Sequence, residues 1–271
     1  MRFGLEDLQK FARELRGDIV AISNANEVAH LASCLSCVDI LVAAYWGFLN
    51  VKPDAVGHPD RDRFILSKGH AAMALYSVLA KRGFIPSADL QQVARDGSHY
   101  LEHPPPGRVP GVELATGSLG HGLGVGTGLA LAARLNGQTY RTMVVMSDGE
   151  MNEGSVWEAA MFAAAQKLDR LVAVVDFNGW QATGRSRNVL ALEPLADKWR
   201  AFGWTVEEVN GHDIEALGAA FSHGTPGGPH MVLAHTVKGK GVSFMEDDNN
   251  WHYRIPTAAE LASARRELGL P

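Results

Sequence analysis

A chain of 271 residues, 46% hydrophobic and 20% charged, is long enough to bury one large α/β core and has the composition of an ordinary globular domain. Its 25 basic and 30 acidic residues leave a formal charge of −5, which argues against a general nucleic-acid surface, and no apolar run approaches membrane-spanning length. The opening residues lack a signal-peptide core, and Cys34 and Cys37 read as core thiols, too few for a four-ligand zinc site, so a cytoplasmic protein is expected.

Helical and extended patterns alternate along the chain. Residues 5 to about 29 place Leu5, Leu8, Phe11, Leu15, Ile19 and Ile22 on one face of a helix. Residues 36–49 read as a second, very apolar helix, 53–60 as a loop and 64–67 as the first strand. A helix over 71–82 stops at Gly83. The Pro- and Gly-rich loop 99–110 is long enough to suggest function. A Gly- and Ala-rich helix covers 119–136. Its glycines at 120, 122, 124, 126 and 128 close no GxGxxG frame, so they point to close helix packing instead of dinucleotide binding. Strand 142–146, helix 154–167 and strand 171–175 make a βαβ unit. Residues 204–209, 214–221 and 230–234 add a strand, a helix and a strand. The alternation predicts an α/β fold with a doubly wound, mostly parallel sheet and helices on both faces, in one domain over 1–271.

The segments that follow the two central strands carry the chemistry: Ser147-Asp148-Gly149-Glu150-Met151-Asn152-Glu153-Gly154 and Asp176-Phe177-Asn178-Gly179-Trp180. Each starts at the carboxyl end of a buried strand, where open α/β sheets bind ligands. The oxygens of Asp148 and Asn178 are hard ligands suited to Mg²⁺ beside a diphosphate, and Gly149 lets backbone approach a phosphate closely. Taken singly, Asp148 reads more readily as a helix cap and Asn178 as a turn residue.

These segments do not stand alone. With Arg61-Asp62-Arg63-Phe64-Ile65-Leu66-Ser67-Lys68-Gly69-His70, Leu114-Ala115-Thr116-Gly117-Ser118-Leu119-Gly120-His121-Gly122, and the histidines at 30, 103 and 252, the chain resembles the amino-terminal half of the transketolase family, in order and over nearly its whole length. The resemblance implies a thiamine diphosphate-binding fold. Asp148, Asn178 and the carbonyl of Trp180 would hold Mg²⁺, or Ca²⁺ or Mn²⁺ in its place. Gly117, Ser118 and Leu119 would surround the aminopyrimidine ring, Gly149 would meet the diphosphate, and His70 and His252 would touch the cofactor. His103 and His30 fall where the family contacts substrate, and Glu153 where it links two cofactor sites near the dimer axis. Imidazoles suit such chemistry because they donate, accept and shuttle protons near neutral pH. His99, His121, His212, His223, His230 and His235 are read as ordinary. Lys238 and Lys240 are read as phosphate contacts or as a solvated basic loop, and 246–248 as solvated surface.

The sequence departs from the family at Ser147, where Gly is usual, at Val28-Ala29-His30-Leu31, which replaces SGHP, and at His121, which replaces Gln. The changes around His30 lie near the substrate entrance and fit a modified donor such as a deoxy, branched or sulfonated ketose. The resemblance further implies a pyrimidine-binding domain on a separate chain, a carboxyl-terminal transketolase subunit, in an α₂β₂ assembly that moves a two-carbon ketol unit from a ketose to an aldose. Competing readings are the α subunit of a thiamine-dependent 2-oxo-acid decarboxylase or dehydrogenase, a deoxyxylulose-phosphate synthase relative, and a noncatalytic scaffold subunit.

Overall fold

The computed structural model describes residues 3–105, 107–224 and 227–271. Helix α1 (Leu5–Asn26) begins where the Asp7 carboxylate reaches back to the Gly4 N–H at 3.2 Å. It ends three residues short of the expected limit because Glu27 turns left-handed, at φ 56°. The apolar stretch that follows is not one helix. It is α2 (Leu31–Ser36), α3 (Val38–Ala43) and a π-type turn over Ala44–Phe48. The break falls at Cys37, next to Ser36, whose hydroxyl is drawn to the Asp176 carboxylate at 2.6 Å.

Strand β1 (Arg63–Leu66) leads through a 3₁₀ turn into α4 (Ala72–Lys81), and α5 (Gly122–Leu135) leads into β2 (Thr142–Ser147). Helix α6 (Gly154–Ala165) connects β2 to β3 (Leu171–Phe177). A two-residue hairpin, β4 (Trp180–Gln181) and β5 (Gly184–Arg185), with α7 (Ser186–Val189) and α8 (Leu195–Ala201), carries the chain to the edge strand β6 (Thr205–Asn210). Helix α9 (Ile214–Ser222) returns it to β7 (His230–His235), and α10 (Ala258–Glu267) closes the described chain. The main sheet has the order β1-β2-β3-β7-β6, and every pairing in it is parallel.

Alternate residues of each strand enter different cores. Phe64, Leu66, Met143, Val145, Val172 and Val174 face α1–α4, α9 and α10. Ile65, Val144, Met146, Ala173 and Val175 face α5, α6 and α8. The sheet is therefore covered on both sides, as the alternation of patterns predicts. Both central strands run one or two residues beyond their expected ends, to Ser147 and Phe177, so the functional loops start directly on the sheet. The glycines of α5 divide by face. A Cβ at Gly122 or Gly126 would collide with Ser67 or Val144, whereas Gly124 and Gly128 meet nothing within 4 Å. The helix packs closely on the sheet through two of them and leaves the other two uncovered. Among the described residues no helix is long and apolar enough to cross a membrane.

Candidate active site

A cleft of about 350 Å³ opens at the carboxyl ends of β1, β2 and β3. His30, His70, His103, Gly117, Leu119, Gly149, Glu153, Asn178, Trp180 and His252 line it, together with Ser33, Ser147, Asn152 and 181–183. Nearly every residue expected in the site thus converges on one concavity from segments far apart in sequence. The exceptions are Asp148, which is buried, and Ser118, which is exposed; both lie outside the lining.

Asp148 is fully buried at the end of β2. Its Oδ1 accepts the Gly149 N–H at 2.9 Å, and its Oδ2 accepts the Gly179 N–H at 2.9 Å and the Ser186 hydroxyl at 2.8 Å. These bonds join the loop after β2 to the loop after β3. Burial pushes the carboxyl up to about 6, with the nearby Asp176 adding to the effect and Ser186 opposing it. Asn178 accepts the Trp180 N–H at 3.0 Å through Oδ1, which curls the segment so that 178 and 180 share one side of the turn. A buried carboxylate, a carboxamide and a main-chain carbonyl form a hard-oxygen set that fits a divalent cation completed by a ligand's diphosphate. Among the described residues, no cluster of three or more His, Cys, Asp or Glu side chains is placed to hold a metal without such help.

The hairpin that carries Trp180 is tied down. The Arg185 guanidinium lies 3.8 Å from the Trp180 ring centroid, and the Asp247 carboxylate accepts from Arg185 at 2.5 and 2.7 Å and from the Trp180 indole at 2.7 Å. Asp247 is therefore a structural partner, not merely solvated surface, and Glu246 pairs with Lys240 at 3.2 Å.

Beneath the cleft sits a charged layer that sequence reasoning missed. Lys68, wholly buried at the end of β1, donates to Asp176 at 2.5 Å and to the Ser33 carbonyl at 2.9 Å. Ser36 and Thr236 also donate to the Asp176 carboxylate. Burial by itself would strip Lys68 of its proton, but the Asp176 charge holds the ammonium well above its ordinary range. Lys238 is likewise buried, with Nζ 2.7 Å from Asn249 Oδ1 and 3.0 Å from His252 Nδ1. It neither lines the cleft nor lies in a solvated loop, which corrects both expectations for it. Burial first and the Lys68 charge second push it down to about 8. A partly apolar run ending in a lysine was the available signal for Lys68. Nothing local marks its partner.

The four expected histidines form one group. The His30 ring centroid lies 4.9 Å from His252, 5.4 Å from His70 and 6.0 Å from His103. His30 adopts φ 65°, rare for a residue with a side chain, and its N–H donates to the His252 carbonyl at 2.7 Å. Burial lowers His30, His70 and His252, the last to about 3 with Lys238 contributing. All three are neutral near pH 7. Buried His30 Nδ1 and Gln181 Nε2 lack hydrogen-bond partners, two polar atoms for a ligand to satisfy. The His103 ring lies against Gly117, whose φ of 150° and lack of Cβ make room for it. Glu153 is exposed at the cleft's outer lip. Cys34 and Cys37 are free and buried, and burial raises both thiols to about 12, which makes them inert core residues.

Comparison with known proteins agrees with this geometry. Residues 7–271 match the family model described as transketolase, thiamine diphosphate binding domain. The chain is 42% identical over 266 residues to a subunit of the apulose-4-phosphate transketolase of Phocaeicola vulgatus, covering 97% of this chain and 94% of that one. It is 39% identical over 242 residues to the 6-deoxy-6-sulfo-D-fructose transketolase subunit SqwG of a Clostridium species, covering 89% and 88%. Among solved structures, transketolase from Leishmania mexicana superposes with a TM-score of 0.91 at 28% identity, over 97% of this chain but only 41% of that one.

Proposed function

The chain belongs to the transketolase family, as its thiamine diphosphate-binding amino-terminal unit, and on that footing we propose that it is the diphosphate-side subunit of a two-component transketolase. The carrying observation is the match to proteins that are themselves transketolase subunits. The chain matches one subunit of the Phocaeicola enzyme with 97% and 94% coverage, and it spans 41% of the Leishmania transketolase chain. A separate carboxyl-terminal subunit with the pyrimidine-binding domain supplies the facing wall of the cleft, and two such pairs form an α₂β₂ enzyme. Val125, Met161 and Phe162, exposed on the adjoining helices α5 and α6, support that assembly as an apolar face suited to burial. The two thiols stay reduced in the cytoplasm, where we place the enzyme.

In this reading Asp148, Asn178 and the Trp180 carbonyl would hold Mg²⁺ beside the diphosphate, and Gly149, with no side chain, would let the main chain approach a phosphate closely. Thiamine diphosphate supplies the electron sink for cleaving and forming carbon–carbon bonds. The protein orients, excludes water and moves protons. His30, His70 and His252 are neutral, so each ring carries one donor and one acceptor nitrogen. His103, held against Gly117, reaches the carbonyl end of the donor. Glu153 at the lip is placed to meet a second copy of the chain. The residues around His30 adapt the entrance to a modified ketose, phosphorylated, branched or sulfonated, whose two-carbon ketol unit passes to an aldose.

The test is capture of the partner from native lysate with the tagged chain, thiamine diphosphate and Mg²⁺, followed by assay of the reconstituted pair with branched, sulfonated and ordinary ketose phosphates. Ketol transfer that requires both chains is expected. Decarboxylation of a 2-oxo acid by the pair, or turnover by this chain alone, would overturn the reading.

A further inference from the structure

We propose that Lys238 is a positioning residue that fixes the tautomer of His252, so that His252 offers the cleft a hydrogen-bond donor and no acceptor. This deepens the transketolase reading and rests on it for its catalytic consequence.

The geometry runs through three side chains. The Asn249 amide Nδ2 donates to the Ala182 carbonyl at 3.1 Å, which turns its Oδ1 inward to accept from Lys238 Nζ at 2.7 Å. The same Nζ lies 3.0 Å from His252 Nδ1. An ammonium has donors only. Nδ1 must then be the accepting nitrogen, and the ring proton resides on Nε2. Ser33 Oγ, 3.4 Å from the same Nδ1, is a weaker partner, and the backbone carbonyl of His252 is occupied by the His30 N–H. Lys238 is itself anchored, since its carbonyl accepts the Asp247 N–H at 2.8 Å while the Asp247 side chain clamps Trp180 and Arg185. The orientation of the histidine is thus linked, through Asn249 and Asp247, to the hairpin that carries Trp180. A donor at Nε2 recognises an oxygen acceptor, such as a hydroxyl, a carbonyl or a phosphate oxygen, and rejects a group that must itself donate.

The test is ¹⁵N NMR of the full chain labelled at histidine, reading which ring nitrogen of His252 carries the proton. The parent is expected to show Nε2–H. A parent with Nδ1–H, or with both nitrogens protonated at pH 7, overturns the proposal without any variant and whatever reaction the enzyme catalyses. In Lys238→Met, folded by circular dichroism, the signal is expected to become a mixture of tautomers, and an unchanged tautomer overturns the proposal. In the reconstituted enzyme Lys238→Met is expected to lower kcat/KM by about 10- to 100-fold, the usual range for a residue that orients a working imidazole. It should add no further loss on a His252→Ala background. Full additivity of the two losses would mean that Lys238 does not act through His252. Because the NMR reading does not depend on turnover, failure of the transketolase reading and failure of this proposal are separable.

Discussion

Three cleft histidines are kept neutral by burial, and that sets a sign on how the subunit responds to acid. Unfolding returns His252 from about 3 to the ordinary imidazole value of 6.5 and raises His30 and His70 in the same direction. The unfolded chain then binds the extra protons, so their contribution to stability is complete above pH 6.5 and is lost as pH falls from 6.5 towards 3. The buried carboxyls of Asp148, raised to about 6, and Glu150 act in the opposite sense, binding protons first in the folded state. Thermal melts between pH 7.5 and 5 should therefore show a parent that loses stability relative to His252→Gln as the pH drops. A gap that does not change with pH would contradict the burial argument. At Asp148 the charge is separable from two of the three bonds, those from Gly179 and Ser186. Asp148→Asn retains an acceptor for Gly179 and Ser186 but removes the anion, and calorimetric titration with Mg²⁺ and thiamine diphosphate should find affinity lower by about 10- to 100-fold. Asp148→Ala should lose binding as well, and in addition about 1–3 kcal/mol of stability for the buried donors left without partners.

Helix α5 shows what periodicity reveals and what it hides. Its glycines are visible in the sequence, but their faces are not, because only the packed structure distinguishes Gly126 against Val144 from Gly124 in open space. Gly126→Ala is expected to destabilise by about 1–3 kcal/mol through overpacking. Gly124→Ala should stabilise the isolated chain by about 0.5–1 kcal/mol through helix propensity, and urea melts of the two variants read both effects. The strands and the βαβ unit were legible because uninterrupted apolar runs such as 142–146 and 171–175 have few other places to go. Helix α10 was not legible by the same route, although Thr257 and Glu260 form a capping box that spells its start. Its only large apolar residue is Leu261, which gives little apolar periodicity. In the site, Asp148, Asn178 and the histidines were legible as motifs. Lys68, Ser36, Asn249 and the burial of Lys238 were not, because each acquires its role from a partner on another element.

At the scale of the molecule, the proposed assembly makes the cleft one wall of a site and the apolar surface of α5 and α6 the adjoining exterior. Met161 and Phe162 are 51% and 46% exposed. Replacing both with Asp is expected to leave the chain folded, with an unchanged melting midpoint, while abolishing assembly with the partner chain in sedimentation velocity. An unchanged assembly would place the interface elsewhere. The cleft itself lies at the ends of parallel strands that are covered by α1–α4 on one face of the sheet and by α5 and α6 on the other. This topology lets loops distant in sequence meet over Asp148.

The Lys68–Asp176 pair reaches from β1 to β3 across the strand between them. Its two charges meet only when all three strands are threaded in register, since a slip of one residue turns a side chain to the opposite face. A misthreaded sheet would strand an ammonium and a carboxylate in a dry interior, at a cost of about 3–5 kcal/mol for a broken buried pair. The pair thus serves as a checksum on the fold, read before any ligand arrives. Only a chain that has passed it holds Asp148, one strand away, in its buried position.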